Sequence, residues 1–218
     1  MSSLVYIPAA NKWKSVSVMD NIPYTLLALS NERYNAGEKE LAAGCLFIYR
    51  KNNKSNDATQ KISLWLKDFT RPRKIELPRS ASEIEAGKSY YFKDHAVILG
   101  QDPSFQDLKE SITLYNAGVV DYESNNFESA WISFYAATRG GLNTAFYLPA
   151  IYSEKVRISL AEAGKDTDKL LSEYVNDNYM AGVSAYTQGN PRKAIELWDK
   201  VLAVDPANSK ARENMQKA

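Results

Sequence analysis

The chain has 218 residues, 44% of them hydrophobic and 24% charged, with 27 Lys and Arg against 26 Asp and Glu for a net charge of +1. That length suits two ordinary domains with real cores, and near-neutrality excludes a protein that grips nucleic acid or a membrane surface through bulk charge. A single cysteine, Cys45, excludes an intramolecular disulfide and a cysteine-based metal cluster.

The N-terminal stretch MSSLVYIPAANKWK has no 7–15-residue apolar core of a signal peptide, and no run reaches the length of a membrane span. A chain complete as given is expected in the cytoplasm, while a mature form leaves the periplasm and cell surface open. Up to residue 105 the pattern is that of strands. Residues 4–7, 15–18 and 24–27 are short β-branched or aromatic runs bounded by Pro, Asn and Asp, and longer candidates follow at 44–50, 61–66, 73–77 and 90–99. Ile62, Leu64 and Leu66 alternate with Lys61, Ser63 and Lys67, as one wetter sheet face requires. Seven short strands predict an antiparallel β-sandwich or small barrel over residues 1–105, with a short helical insertion at 30–43 and an exposed hairpin loop at 51–60.

Within that half, Cys45 sits in the apolar run AAGCLFIYR as a small buried hydrophobe. Asn53-Lys54-Ser55 fits the glycosylation triplet, which chance often produces. Arg71, Arg73, Lys74 and Arg79 form a candidate anion patch for a phosphate, an acidic peptide or an anionic glycan. A solvated loop and edge strand blunted by charge is the alternative, and the weightier of the two readings. His95, the only histidine, reads as a hydrogen-bonded strand residue: it excludes multi-histidine metal sites and has no Gly-x-Ser-x-Gly elbow beside it.

From residue 106 the period changes to three and four. Amphipathic helices are predicted over 105–124 and near 126–139, 144–163, 167–188, 191–203 and 207–217. Gly140-Gly141, Gly164-Lys165 and Gly189-Asn190 supply the stops. Pro149 falls early in the third helix, where it occupies the first turn or introduces a kink. Asp166 and Asp168 stand at a helix start, which favours anions. The two halves also differ in balance: 15 basic against 11 acidic residues before position 106, and 12 against 15 after it.

Residues 182–206 read as two helices joined at Gly189-Asn190-Pro191. Gly182, Ala194, Trp198, Val201 and Pro206 fall at offsets 0, 12, 16, 19 and 24. A second copy starts at Gly118, with Ala130, Phe134 and Ala137 at offsets 12, 16 and 19, and Tyr122 and Tyr186 share offset 4. Small residues let paired helices approach closely, and the aromatic fills the space between them. The pattern resembles the tetratricopeptide repeat, a helix–turn–helix unit of about 34 residues. Two departures stand out: the copies lie 64 residues apart, and Leu142 stands where the second copy has Pro206. The helix near 144–163 fills the extra length as a degenerate repeat partner or a spacer.

The whole is therefore expected to be α+β: an N-terminal β-sandwich or small barrel (residues 1–105), then an all-α domain similar to tetratricopeptide repeats (residues 106–218). The resemblance implies a non-catalytic adaptor or structural subunit of a larger, bacterial-type assembly. A partner helix or extended segment would lie along the first helix of each pair, near Asn116, Val120, Tyr179 and Val183. No phosphate-binding loop, catalytic constellation, metal or cofactor is expected. The partners are other proteins or copies of the same chain, without nucleic acid. Two alternatives stay open: a self-assembling subunit of a fibre or ring, and an anion- or carbohydrate-binding β module with a helical oligomerisation domain.

Overall fold

A computed structural model describes residues 2–7, 12–17, 30–32, 34–37, 42, 71–77, 79–80, 105–139 and 148–218. Among these residues six helices dominate: α1 (Phe105–Glu123), α2 (Phe127–Arg139), α3 (Leu148–Glu162), α4 (Thr167–Thr187), α5 (Pro191–Val204) and α6 (Ser209–Lys217). Two strands, β1 (Ser2–Ile7) and β2 (Lys12–Ser17), pair antiparallel, with Val5 opposite Lys14.

Local chemistry sets the helix boundaries. Asp166 caps α4 by accepting the amides of Asp168 and Lys169, so its carboxylate serves the helix start. Asn190 caps α5, with Pro191 in the first turn where a missing N–H is harmless. Asn208 caps α6 through the Ala211 amide. Because α3 begins at Leu148, Pro149 sits in its first turn.

Three helices end in the same way. After α1, the Asn126 amide donates to the Asp121 carbonyl and the Asn125 amide to Tyr122. After α3, Lys165 donates to Leu160 and Gly164 to Ala161; after α4, Asn190 donates to Ala185 and Gly189 to Tyr186. This nested pair of bonds satisfies the last carbonyls and needs a left-handed residue at its centre. Asn125 (φ 61°), Gly164 (φ 73°) and Gly189 (φ 78°) supply it.

Two hydrophobic cores result. The first gathers Ile112, Tyr115 and Val119 of α1, Ala130, Trp131, Phe134 and Ala137 of α2, and Leu148, Ile151, Tyr152, Val156 and Leu160 of α3. At its centre Tyr115, Phe134 and Tyr152 meet with ring centroids 5.4–6.2 Å apart, a separation at which tilted rings attract. The buried Ser111 hydroxyl donates to the Ala137 carbonyl at 2.6 Å and ties the hairpin's open end. The second core joins Ala185 of α4, Ala194, Trp198 and Val201 of α5, and Ala211 of α6. The long helix α4 serves both, since Leu170 and Leu171 pack on the first core while Val175, Tyr179 and Val183 pack on the second. A further contact runs between α2 and α5.

The expected β-sandwich or barrel is not what the described residues form. Their only sheet is the β1–β2 hairpin. Residues 30–32 and 34–35 are helical, and Tyr34 and Ala42 join the first helical core instead of decorating a sheet. Residues 73–77, expected as a strand, run without regular structure. The reason is physical. A short run such as 73–77 reads as a strand from its own residue types alone, and here the Asn116 side chain of α1 holds the backbone of Ile75. The remaining strand candidates, together with Cys45, Asn53 and His95, lie outside the described residues.

Candidate functional site

The two predicted repeat copies are both helical hairpins, α1–α2 and α4–α5, and they agree atom group by atom group. Gly118 faces the Phe134 ring, and Gly182 faces the Trp198 indole. A Cβ on Gly118 would stand 2.7 Å from two atoms of the phenyl ring, and one on Gly182 would overlap Nε1 of the indole. Ala130 and Ala194 are fully buried at the crossings, with Ala137 and Val201 equally enclosed two turns on. The turn bonds recur at the same 64-residue spacing: Ser124, Asn125 and Asn126 donate as Gln188, Gly189 and Asn190 do. Asn126 accepts the Ser129 amide through its side chain, and Asn190 accepts that of Lys193. The paired asparagines at 126 and 190 were visible in the sequence and escaped the offset comparison. Pro206 is exposed just after α5, its carbonyl accepting from Arg212. Leu142 lies outside the described residues.

The proposed groove residues separate into two situations. On α1, Asn116 and Val120 stand one turn apart on one face. The Asn116 side chain holds the backbone of Ile75: its Oδ1 accepts the Ile75 amide at 2.8 Å, and its Nδ2 donates to the Ile75 carbonyl at 2.7 Å. Val120 remains 43% exposed. On α4, Tyr179 and Val183 are half-buried against the second core. The Tyr179 carbonyl accepts from Trp198 Nε1 at 3.3 Å, and its hydroxyl accepts from Asn214 at 3.2 Å. Beside them Met180 and Tyr186 are 55% and 43% exposed, so the solvent-facing apolar surface of α4 is theirs. The predicted pair on α4 packs instead against the second core.

Burial, with the Asp121 charge of α1 adding to it, pushes the Tyr174 phenol of α4 above its ordinary value. Elsewhere burial lowers Lys155. The Arg157 guanidinium is held up chiefly by its bond to Glu154, against the opposing effect of burial. Asp199 of α5 is pushed up by burial and then by Glu110 of α1.

The candidate anion patch is exposed throughout: Arg71, Arg73, Lys74 and Arg79 all face solvent. Arg71, Arg73 and Lys74 ride on the segment that Asn116 holds, which is the solvated loop of the alternative reading but not its edge strand. Nothing in sequence spacing joins Ile75 to Asn116 across 41 residues, so this contact was missed. A shallow cleft of about 300 Å³ lies between the start of α4 and the end of α5, lined by Asp168, Leu171, Ser172, Val175, Val204 and Asp205. Among the described residues no group of three His, Cys, Asp or Glu side chains is placed to hold a metal, and no helix is long and apolar enough to cross a membrane.

No protein-family model, curated protein or solved structure matches the chain.

Proposed function

We propose that this chain is a non-catalytic interaction module, an adaptor or structural subunit of a larger assembly, built on two hairpins of the tetratricopeptide type. The observation that carries the reading is the recurrence of one hairpin design at a 64-residue spacing, in crossing, turn and cap alike. Units of this kind close their apolar faces by packing on neighbours and leave the first helices to present a surface. On α1 that surface carries Asn116 and Val120; on α4 it carries Met180 and Tyr186. Helix α3 completes the first core against α2, which suits a spacer between the hairpins.

Photo-crosslinking from a reactive residue placed at Val120, Met180 or Lys200 of the full chain, in its native source, tests this. Val120 and Met180 should trap the same protein and Lys200, on the outer side of α5, should not. Equal trapping at all three positions, or none at the first two, would end the groove reading. Light scattering across a range of concentrations addresses assembly: a mass that grows with concentration moves the reading to a self-assembling subunit.

A further inference from the structure

The contact between Asn116 and Ile75 joins two segments through chemistry that is not particular to either. A side-chain amide offers one acceptor and one donor in a plane, and these match the N–H and C=O of a single extended residue. This is the exchange by which neighbouring strands pair. Among the described residues, 71–77 are anchored at few points: both backbone groups of Ile75, the Ile75 side chain against the first core, and the buried Pro72. Arg71, Arg73, Lys74, Glu76 and Leu77 point to solvent. Segments with so few buried contacts open locally well before the domain unfolds. One turn along the same face of α1, Val120 remains uncovered.

We propose that residues 71–77 are a cis ligand on α1. The same site takes an extended segment of another protein, with an aliphatic residue in the place of Ile75, once the cis segment is displaced. Backbone pairing supplies the affinity and the aliphatic pocket the selection, as when a peptide adds to a sheet edge. The strap lowers the apparent affinity by the fraction of time the site is open. This deepens the interaction-module reading and rests on it.

The test uses the full chain and a fluorescent peptide reproducing residues 69–79. Ile75→Asp removes the aliphatic anchor of the strap and leaves Asn116 in place. It should bind the peptide about tenfold more tightly than the parent, if the strap is closed nine-tenths of the time. Adding Asn116→Ala to that variant should abolish the gain. Equal binding by parent and Ile75→Asp, or binding indifferent to Asn116→Ala, overturns the proposal. Hydrogen exchange on the unmutated chain keeps it testable should the variant misfold. The Ile75 amide should be protected, and saturating peptide should speed its exchange. Exchange unchanged by peptide, or as slow as that of the α1 and α2 core amides, makes the segment a fixed part of the fold. Crosslinks at Val120 and Met180 without peptide competition would leave the module reading standing and remove the strap. Peptide displacement without any crosslinked partner would do the reverse.

Discussion

Gly182 and Trp198 occupy each other's space. The indole lies where any other residue at 182 would carry its side chain, with Cδ1 and Cε2 at 2.7 and 2.9 Å from a Cβ built there. The same ring donates its N–H to the Tyr179 carbonyl. Sixty-four residues earlier, Gly118 stands in the same relation to Phe134. In both hairpins the missing side chain sets how close the helices come, and a buried aromatic fills the gap.

Gly182→Ala puts two effects in opposition. Alanine in mid-helix is favoured over glycine by about 1 kcal/mol, whereas overpacking a tight core costs about 1–3 kcal/mol. Trp198 is enclosed and hydrogen-bonded, so shifting it also weakens that bond by about 1 kcal/mol. The net expectation is a loss of about 1–3 kcal/mol, read from urea unfolding. A double-mutant cycle with Trp198→Leu should show coupling, the alanine costing less once the indole is gone. Additive effects would mean that the two residues do not share this space.

Trp131 and Trp198, both buried, should respond differently to Phe. Trp198 Nε1 has a carbonyl partner, while Trp131 Nε1 is buried without one and its ring stacks on Tyr135 at 5.3 Å. Both substitutions lose ring volume, but only Trp198→Phe also loses a hydrogen bond, at about 0.5–1.5 kcal/mol. Trp131→Phe removes an unsatisfied donor and offsets part of its packing loss. Trp198→Phe should therefore lower the urea midpoint more. The reverse order would place a partner on Trp131 in solution.

The helical half was legible because its signals are local. Apolar spacing, the helix start at Asp166, and stops at 164 and 189 each act within a few residues, and the six described helices lie within a few residues of their expected ends. The offset comparison also found the Gly–aromatic crossings, since they recur within one hairpin. The β-sandwich went wrong where the deciding contact was distant. Ile75 looks like a strand residue from its neighbours, and only Asn116, 41 residues on, reveals it as a clamped extended segment. Tyr179 and Val183 were expected on the groove from the family resemblance, whereas they pack half-buried on the second core; helical spacing by itself does not separate a stripe facing a neighbouring core from one facing solvent.

The turn after α1 uses Asn125 where the turn after α4 uses Gly189, both left-handed. Asparagine tolerates that conformation and alanine does not, at about 1–2 kcal/mol. Gly189→Ala and Asn125→Ala should each destabilise by about 1 kcal/mol, and Asn125→Gly should be neutral or slightly stabilising. A Cβ at position 189 meets nothing within 4 Å, so the loss there is conformational alone. Equal midpoints for Asn125→Ala and Asn125→Gly would mean that the turn adopts another conformation.

Asp199 links the second hairpin to the first through charge. Burial, and after it the Glu110 carboxylate, raise its folded pKa above the ordinary 3.8. A carboxyl raised on folding favours the folded state while protonated. That contribution is full below pH 3.8 and is lost as pH rises through the folded value. At pH 7 the ionised side chain therefore destabilises, and Asp199→Asn should be the more stable protein. The side chain is largely in solvent, so the gain is small, about 0.3 kcal/mol after screening. The gap should close on titration to pH 3, where both forms are neutral. Glu110→Gln should reproduce a smaller share of it, and 1 M salt should remove that share while leaving the burial part. A gap between Asp199→Asn and the parent that stays constant from pH 7 to pH 3 would show that ionisation of Asp199 is not its cause.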